Sequence, residues 1–299
     1  MSGHTTDAVR DNLQNWNDRA ETHAQSTYGD LNAPADDPLY VSSVVRRDLG
    51  VLAPHLPMNS VAGQRLLHLQ CHIGTDTLSW WRLGASEVHG LDFSPHALNH
   101  ARALSARAGA DITYVRGDAR HADEVLSEHL GSFDVIVTSA GTITWLPDLE
   151  DWGRSIARLL APGGIFMIRD NHPLLFALDN NGLEVVTGYL SGTESFYETA
   201  QTYMTVPLPA NGNLKDDTPA APVITHTRNH NWAHDFQEIT GALLGAGLTI
   251  EALGEHEQTD WKALPQLKYH ADEDAWSMPD GLPRIPLTFS LVARRPQAE

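Results

Sequence analysis

The chain has a single cysteine, Cys71, in 299 residues, so no internal disulfide can form and a cytoplasmic setting fits. No apolar run approaches the ~20 residues needed to cross a bilayer, so no membrane role is expected. The first residues, MSGHTTDAVRDNLQNW, lack the basic start and apolar core of a signal peptide. Basic residues are scarce: 20 Lys and Arg stand against 38 Asp and Glu, a formal net charge of −18. Such a surface repels phosphate backbones and no local basic run offsets it, so nucleic acid is not an expected partner. No internal repeat is evident. What the chain has is length enough for one large domain with insertions, an ordinary apolar content, and 16 histidines that assign nothing by number alone.

Residues 1–60 are polar, with helices predicted over Asp7–Ala24 and Val41–Leu52 and prolines at 34, 38, 54 and 57 between and after them. From Arg65 the pattern alternates. Strands are predicted at Arg65–Leu69, Glu87–Leu91, Ile112–Arg116, Phe133–Thr138 and Ile165–Arg169. Between them lie helices over Thr75–Leu83, from the Ser94-Pro95 start to about Ala108, across His121–Leu130, and over Asp148–Leu160, the last stopped by Ala161-Pro162-Gly163-Gly164. Such alternation predicts an α/β fold, a doubly wound and mostly parallel sheet covered on both faces. Residues 171–232 break the rhythm with short aromatic and β-branched pieces (Glu184–Tyr189, Ser195–Val206) and the loop-like VPLPANGNLKDDTPAAP. A link this long is usually functional or mobile. A helix is expected at Ala233–Ala246, then strands at Leu248–Leu253 and Leu287–Ala293, the final pair adding an antiparallel edge to a sheet of seven strands. The expected organisation is a helical lid segment, 1–60, and a main domain, 61–299, with 171–232 inserted as a pocket or lid.

The densest signal is Leu66–Asp92, LLHLQCHIGTDTLSWWRLGASEVHGLD: strand, loop, helix, strand, then an acid at the strand tip. A nucleoside cofactor needs this order, because a helix N-terminus meets the ligand and the carboxylate accepts from ribose hydroxyls. Ligands bind beyond the carboxyl ends of parallel strands, where Gln70–Gly74, Asp92, Asp118 and Ser139–Gly141 all fall. Yet the loop holds Gln70, His72 and Gly74 where a glycine-rich loop has three glycines. Since other residues disfavour positive φ, ordinary backbone angles are expected at Gln70 and His72.

In combination LLHLQCHIG, HGLDFSPHAL, VRGDAR, FDVIVTSAGTITWL and LLAPGGIFMI resemble the class I S-adenosylmethionine-dependent methyltransferases, from about Arg65 to Ala293. The first motif resembles that of a subgroup carrying LHLQCHxGxDTLS. The resemblance implies a Rossmann-like methyltransferase fold that binds S-adenosyl-L-methionine and releases S-adenosyl-L-homocysteine, with a small organic acceptor methylated at N or O. It implies Asp92 at the ribose and Asp118 near the adenine amino group. It implies further cofactor contacts from His68, Leu69, Gln70, Cys71, Gly74, Thr75, Phe93, Ser94, Gly117, Ala119, Ser139 and Ala140. His68 replaces the family's acid, so a contact to the methionine amino group must come from Gln70, from loop carbonyls or from an N-terminal lid. Trp16 and Arg19 are implied in that lid as cofactor contacts, with Tyr28 on the substrate side; the plainer account is packing of the N-terminal helix.

For the acceptor, His172 in RDNHPLL is the best general-base candidate, with a structural turn before Pro173 as its alternative. Trp145 either walls the site or is a core aromatic, and Asp170 and Asn171 sit where they would orient an acceptor amine. The resemblance places Trp232 and His234 in the acceptor pocket; otherwise they pack a helix N-terminus. His226, His230 and His234 recur every four residues, but a helix starting near Ala233 leaves two of them outside it and no cysteine is near, so no metal is assigned. Asp260, Asp272, Glu273 and Asp274 around Trp261, Tyr269 and Trp276 form either an acidic and aromatic rim for a cationic or aromatic acceptor or a solvated loop. Two readings compete with methyl transfer. One is a protein that only binds the cofactor or uses it for other chemistry; the other is a nicotinamide-dependent oxidoreductase, which would want glycines at 70 and 72. A homodimer is left open.

Overall fold

The computed structural model describes residues 3–25, 31–179, 183–202 and 223–297. The elements run α1 (Gly3–Ala24), α2 (Asn32–Asp36), α3 (Ser43–Leu52), β1 (Arg65–Leu69), α4 (Thr75–Arg82), β2 (Glu87–Asp92), α5 (Pro95–Ala108), β3 (Ile112–Arg116), α6 (Ala122–Val125), β4 (Phe133–Ser139), α7 (Glu150–Leu159) and β5 (Leu160–Asn171). There follow α8 (Pro173–Ala177), β6 (Glu194–Glu198), β7 (Arg228–Trp232), α9 (Phe236–Gly245), β8 (Thr249–His256), β9 (Gln258–Thr259), β10 (Lys268–His270), β11 (Ala275–Ser277) and β12 (Thr288–Arg294). A seven-stranded sheet in the order β3-β2-β1-β4-β5-β12-β8 forms the centre. Strands β3, β2, β1, β4 and β5 pair in parallel, and β12 is antiparallel to both neighbours. This is the doubly wound, mostly parallel architecture expected.

Alternate residues of each strand feed opposite layers, as the period-two geometry requires. Leu67, Ile136, Phe166 and Leu291 face Trp152 and Ile156 of α7 and Ile239 and Leu243 of α9. Their neighbours Leu66, Val135, Met167 and Val292 face Val45 and Leu52 of α3 and Trp80 of α4. Both layers are dry core, which fixes the register and aims all five parallel strand tips at one edge.

Several boundaries differ from the pattern reading. The strand predicted at Ile165 starts at Leu160 and runs through the Pro-Gly-Gly, because Gly163 takes φ +81° and the register with β4 shifts there. The predicted helix His121–Leu130 is broken, with α6 flanked by 3-10 turns at Ala119–His121 and Ser127–His129. The final pair forms the antiparallel edge expected, with β12 next to β5 and β8 outermost. Asn231-Trp232 belongs to β7, and the following helix begins only at Phe236, capped by Asp235, whose side chain accepts from Glu238 N–H. Helix α2 and the small sheet β10-β11-β9 have no counterpart in the sequence pattern, while β6 of the β6-β7 pair falls at the start of the piece noted at Ser195–Val206. The loop VPLPANGNLKDDTPAAP lies outside the described residues.

Candidate active site

The loop after β1 is built against expectation. Gln70 and His72 both take left-handed backbone, φ +54° and +50°, as does Gly74 at +84°. The expectation of ordinary angles at 70 and 72 is therefore corrected. Each such non-glycine residue costs roughly 1–2 kcal/mol, and persists only where its surroundings impose it. Here they do. Asp92 Oδ2 accepts from His72 N–H at 2.9 Å, Leu91 O from Cys71 N–H at 3.0 Å, and Gln70 Nε2 donates to Thr142 O at 2.9 Å.

Asp92 also accepts from Ser94 N–H at 2.8 Å through Oδ1. Burial pushes its pKa up to about 6, opposed by these backbone donors. The backbone N–H groups of Ser94, His72 and Phe93 hold the carboxylate in place, and its acceptor oxygens are the chemistry a ribose diol needs. Ser94 caps α5 by accepting from Ala97 N–H and donates its hydroxyl to Asn17 of α1 at 2.7 Å. Asp118 stands at the tip beyond β3 but is bound by Arg120 through both carboxylate oxygens, and Arg120 bridges on to Asp148.

Beyond β4 the loop is held by Asp170, which accepts from the amides of Gly141 (2.6 Å), Thr142 (2.8 Å) and Ile143 (3.0 Å). This carboxylate is a buried loop anchor and not an orienting group for an acceptor amine. Trp145 Nε1 donates to Gly141 O at 2.9 Å, which fixes the indole across the crevice.

Helix α1 closes over these tips. Trp16 meets His72 and Trp145 edge-on, with ring centroids 5.2 and 5.1 Å apart, and the buried Arg19 guanidinium lies 5.5 and 5.6 Å from the Trp16 and Trp145 rings. The helix is seated by asparagines: Asn12 donates to His230 O and accepts from His230 N–H, and Asn15 donates to His226 O. Asn12 thus gives the β7 backbone the pairing a further strand would give. Burial drives the His72 pKa down to about 3, assisted by His100 and Arg19, so its imidazole is neutral. Trp16 Nε1 and Gln70 Oε1 are buried without a hydrogen-bond partner among the described residues. Orphaned polar atoms on both sides of a crevice that also holds Asp92 suit a polar nucleoside ligand. Two cavities, about 350 Å³ beside Arg154, Arg158 and Arg295 and about 330 Å³ beside Met278 and Arg284, lie away from the strand tips.

Other expected contacts fall elsewhere. His68 is buried between β1 and α4, its Nδ1 2.9 Å from Thr77 Oγ1, and burial lowers its pKa to about 4. Leu69 and Ala119 are core, and the buried Cys71 thiol is pushed well up by burial, helped by Asp92. Ser139 points away and donates to Asp48 Oδ2 at 2.5 Å, leaving only backbone, with Ala140, at that tip. Thr75 opens α4 behind Gly74, while Phe93 and Gly117 flank Asp92 and bond through backbone to Arg116 and to Asp92 O.

His172 has both ring nitrogens committed: Leu174 N–H donates to Nδ1 at 3.0 Å and Nε2 lies 2.9 Å from Glu255 Oε1. Capping α8 is its role here, and this arrangement leaves no free lone pair for a general base. Asn171 Oδ1 accepts from Trp261 Nε1 at 3.0 Å. His234 bonds Leu146 O and Glu238, each at 2.9 Å, and so positions the loop carrying Trp145. Trp232 is buried on β7, its carbonyl accepting from Thr144 Oγ1 at 3.3 Å. Tyr28 lies outside the described residues. The acidic rim is internally paired: Asp260 binds Arg47 and Arg169, and Asp274 accepts from Ser43 and Tyr269. Sequence reading missed Asn12, Asn15 and Asn17, and it missed the buried Asp48–Arg169–Asp260 network, whose one signal was a charged residue within an apolar strand.

Residues 66–164 match a methyltransferase domain. Over 121 residues the chain is 37% identical to an uncharacterized methyltransferase of Synechocystis, covering 39% of this chain and 53% of the relative. It is 32% identical over 116 residues to a ubiquinone biosynthesis O-methyltransferase of Caulobacter, covering 39% of this chain and 44% of the relative. The chain thus spans about half the length of these curated relatives. The fold is also that of a putative S-adenosylmethionine-dependent methyltransferase from Listeria monocytogenes, with TM-score 0.53, 15% identity and coverage of 85% of this chain and 98% of the other. A second such structure, from Clostridium acetobutylicum, has TM-score 0.52, 13% identity and coverage of 86% and 93%. These likenesses establish a Rossmann-like methyltransferase fold. Among the described residues no helix is long and apolar enough to cross a membrane.

Proposed function

We propose that this chain transfers the methyl group of S-adenosyl-L-methionine to a nitrogen or oxygen of a small organic acceptor. The observation that carries the reading is the covered crevice at the strand tips. Asp92, the strained Gln70–Gly74 loop, Trp145 and the α1 pair Trp16 and Arg19 converge there, within and above the segment that matches a methyltransferase domain. When bound, the cofactor supplies an activated methyl on a good leaving group, so the protein's share is positioning and exclusion of water. Asp92 would hold the ribose hydroxyls, and Trp16 and Trp145 would wall off solvent. The buried Arg19 offers the charge that the methionine carboxylate requires. Because His172 and His234 have both nitrogens engaged, the acceptor would be a nucleophile that reacts without a protein base, such as a phenolate or a neutral amine. The ubiquinone-biosynthesis relatives add weight to oxygen as the atom methylated.

The test has two stages. Calorimetry with S-adenosyl-L-methionine should show one saturable site, and no heat would sink the reading. Mass spectrometry of reactions with phenols, amines and carboxylates should then find a product heavier by one methylene unit. Cofactor binding with no product across the panel would favour a protein that holds the cofactor without transferring methyl.

A further inference from the structure

At the opposite end of β2 from Asp92, three side chains converge. Glu87 and His89 are two residues apart on the strand and so share a face. His129 arrives from the 3-10 turn before β4, whose backbone is fixed by His129 N–H to Leu126 O (2.8 Å) and by Ser132 Oγ donating to His129 O (2.6 Å). The Nδ1 atoms of His89 and His129 lie 3.8 and 3.9 Å from the same oxygen, Glu87 Oε1. All three donor atoms are within 4.8 Å of one another. We propose that Glu87, His89 and His129 form a binding site for a divalent transition-metal ion of the zinc class.

Tetrahedral zinc, with bonds of about 2.0–2.2 Å, needs its donors roughly 3.3–3.6 Å apart. The observed spacings are a few tenths of an ångström to about an ångström wider, a gap that small side-chain rotations close. The His89 side chain is 4% exposed, yet its Nδ1 has no hydrogen-bond partner among the described residues. A buried imidazole nitrogen left unsatisfied is costly, and a metal ion would satisfy it. The surroundings resemble those of a ligand set. Arg65 orients the carboxylate through both oxygens, Nε donating to Glu87 Oε2 at 2.9 Å and Nη2 more weakly to Oε1 at 3.4 Å, and Oε1 is the oxygen turned toward the histidines. Phe133 forms an apolar wall, its ring 5.3 Å from that of His89 and stacked at 5.7 Å on that of His129. Two imidazoles and one carboxylate suit zinc, cobalt or nickel better than calcium or magnesium. Glu87 and His129 are 42% and 29% exposed, which gives the ion an entry path and a coordination position for water. The site would pin the start of β2 to the segment leading into β4, remote from the crevice and independent of its chemistry.

The test is calorimetric titration of the full, chelator-stripped chain with zinc chloride, repeated for Glu87→Gln, His129→Ala and His89→Ala, with His226→Ala as a control at an exposed histidine. Wild type and His226→Ala should bind one equivalent. Glu87→Gln and His129→Ala, both at partly exposed positions, should weaken binding at least tenfold while keeping wild-type circular dichroism and S-adenosyl-L-methionine affinity. If His89→Ala does not fold, those two variants still decide. Absence of zinc binding by wild type, or unchanged binding in both Glu87→Gln and His129→Ala, would overturn the assignment. Neither outcome bears on methyl transfer.

Discussion

Gly74→Ala is expected to be among the most damaging single-methyl additions in the protein. Gly74 holds φ +84°, where an alanine costs roughly 1–2 kcal/mol. There is also no room. A Cβ there would lie 2.7 Å from Ala101 Cβ, 2.7 Å from the Tyr114 hydroxyl and 3.0 Å from Ala101 Cα. Two of these atoms belong to the small face of α5, and the third is held by Ser105 Oγ at 2.9 Å, so none can yield alone. Overpacking of this kind costs about 1–3 kcal/mol more. The sum, roughly 2–5 kcal/mol, is a large share of the 5–15 kcal/mol typical of a folded domain. Gln70→Gly and His72→Gly make the contrast. Each relieves roughly 1–2 kcal/mol of left-handed strain but adds about 0.5–1 kcal/mol of unfolded-chain entropy and loses side-chain contacts, so each should fall within about 1 kcal/mol of wild type. Urea unfolding with an unchanged slope would read all three variants. A Gly74→Ala protein within about 1 kcal/mol of wild type would refute the reasoning.

Cofactor binding should depend on pH through Asp92. Burial raises its pKa to about 6, so its contribution to apo stability is present at low pH and lost as pH rises through about 6. A ligand whose hydroxyls donate to the ionised form reverses that cost. Affinity for S-adenosyl-L-methionine should therefore fall up to about tenfold per unit below pH 6 and level off above it, and Asp92→Asn should bind weakly at every pH; calorimetry at pH 5, 6 and 7 with a flat wild-type profile would remove Asp92 from the contact. Asp170→Ala leaves the amides of Gly141, Thr142 and Ile143 without their acceptor, a loss of at least about 3 kcal/mol by urea unfolding, with Asp170→Asn recovering part of it. Trp16→Ala should raise the Kd for the cofactor several-fold with global stability little changed, since it opens the lid without touching the sheet; an unaltered Kd would make Trp16 a packing residue only.

The sheet was legible because its signal is redundant: each parallel strand is an apolar run between two amphipathic helices, and a boundary error of two residues leaves the topology intact. The site was legible only where strand tips carry it. Asp92 and Trp145 stand where a tip reading puts them, and Trp16 and Arg19 sit over the crevice. His172 misled because a histidine before a proline at a strand tip serves equally as a base or as a helix cap, and only the positions of Leu174 N–H and Glu255 separate the two. Ser139 misled because sequence names the tip but not the direction of the side chain, which here turns to Asp48. The asparagines that seat α1 were invisible, since their partners are backbone groups about two hundred residues away in sequence.

The loop after β1 also discriminates between cofactors by where its amides point. A dinucleotide site spends the N–H groups of its glycine-rich turn on a pyrophosphate. In this chain Cys71 N–H goes to Leu91 O, His72 N–H to Asp92, and Gly74 N–H to Cys71 O. Those donors are consumed within the protein, so a phosphate arriving here would find no cradle without dismantling the contacts that hold Gln70 and His72 in left-handed backbone. The missing glycines and the spent amides are one fact seen twice. A turn that never has to wrap a phosphate can accept side chains at 70 and 72, provided a neighbouring carboxylate holds its backbone in place. Asp92 does this, and its oxygens are the acceptors a ribose needs, which suits a nucleoside cofactor without phosphate and counts against a nicotinamide dinucleotide.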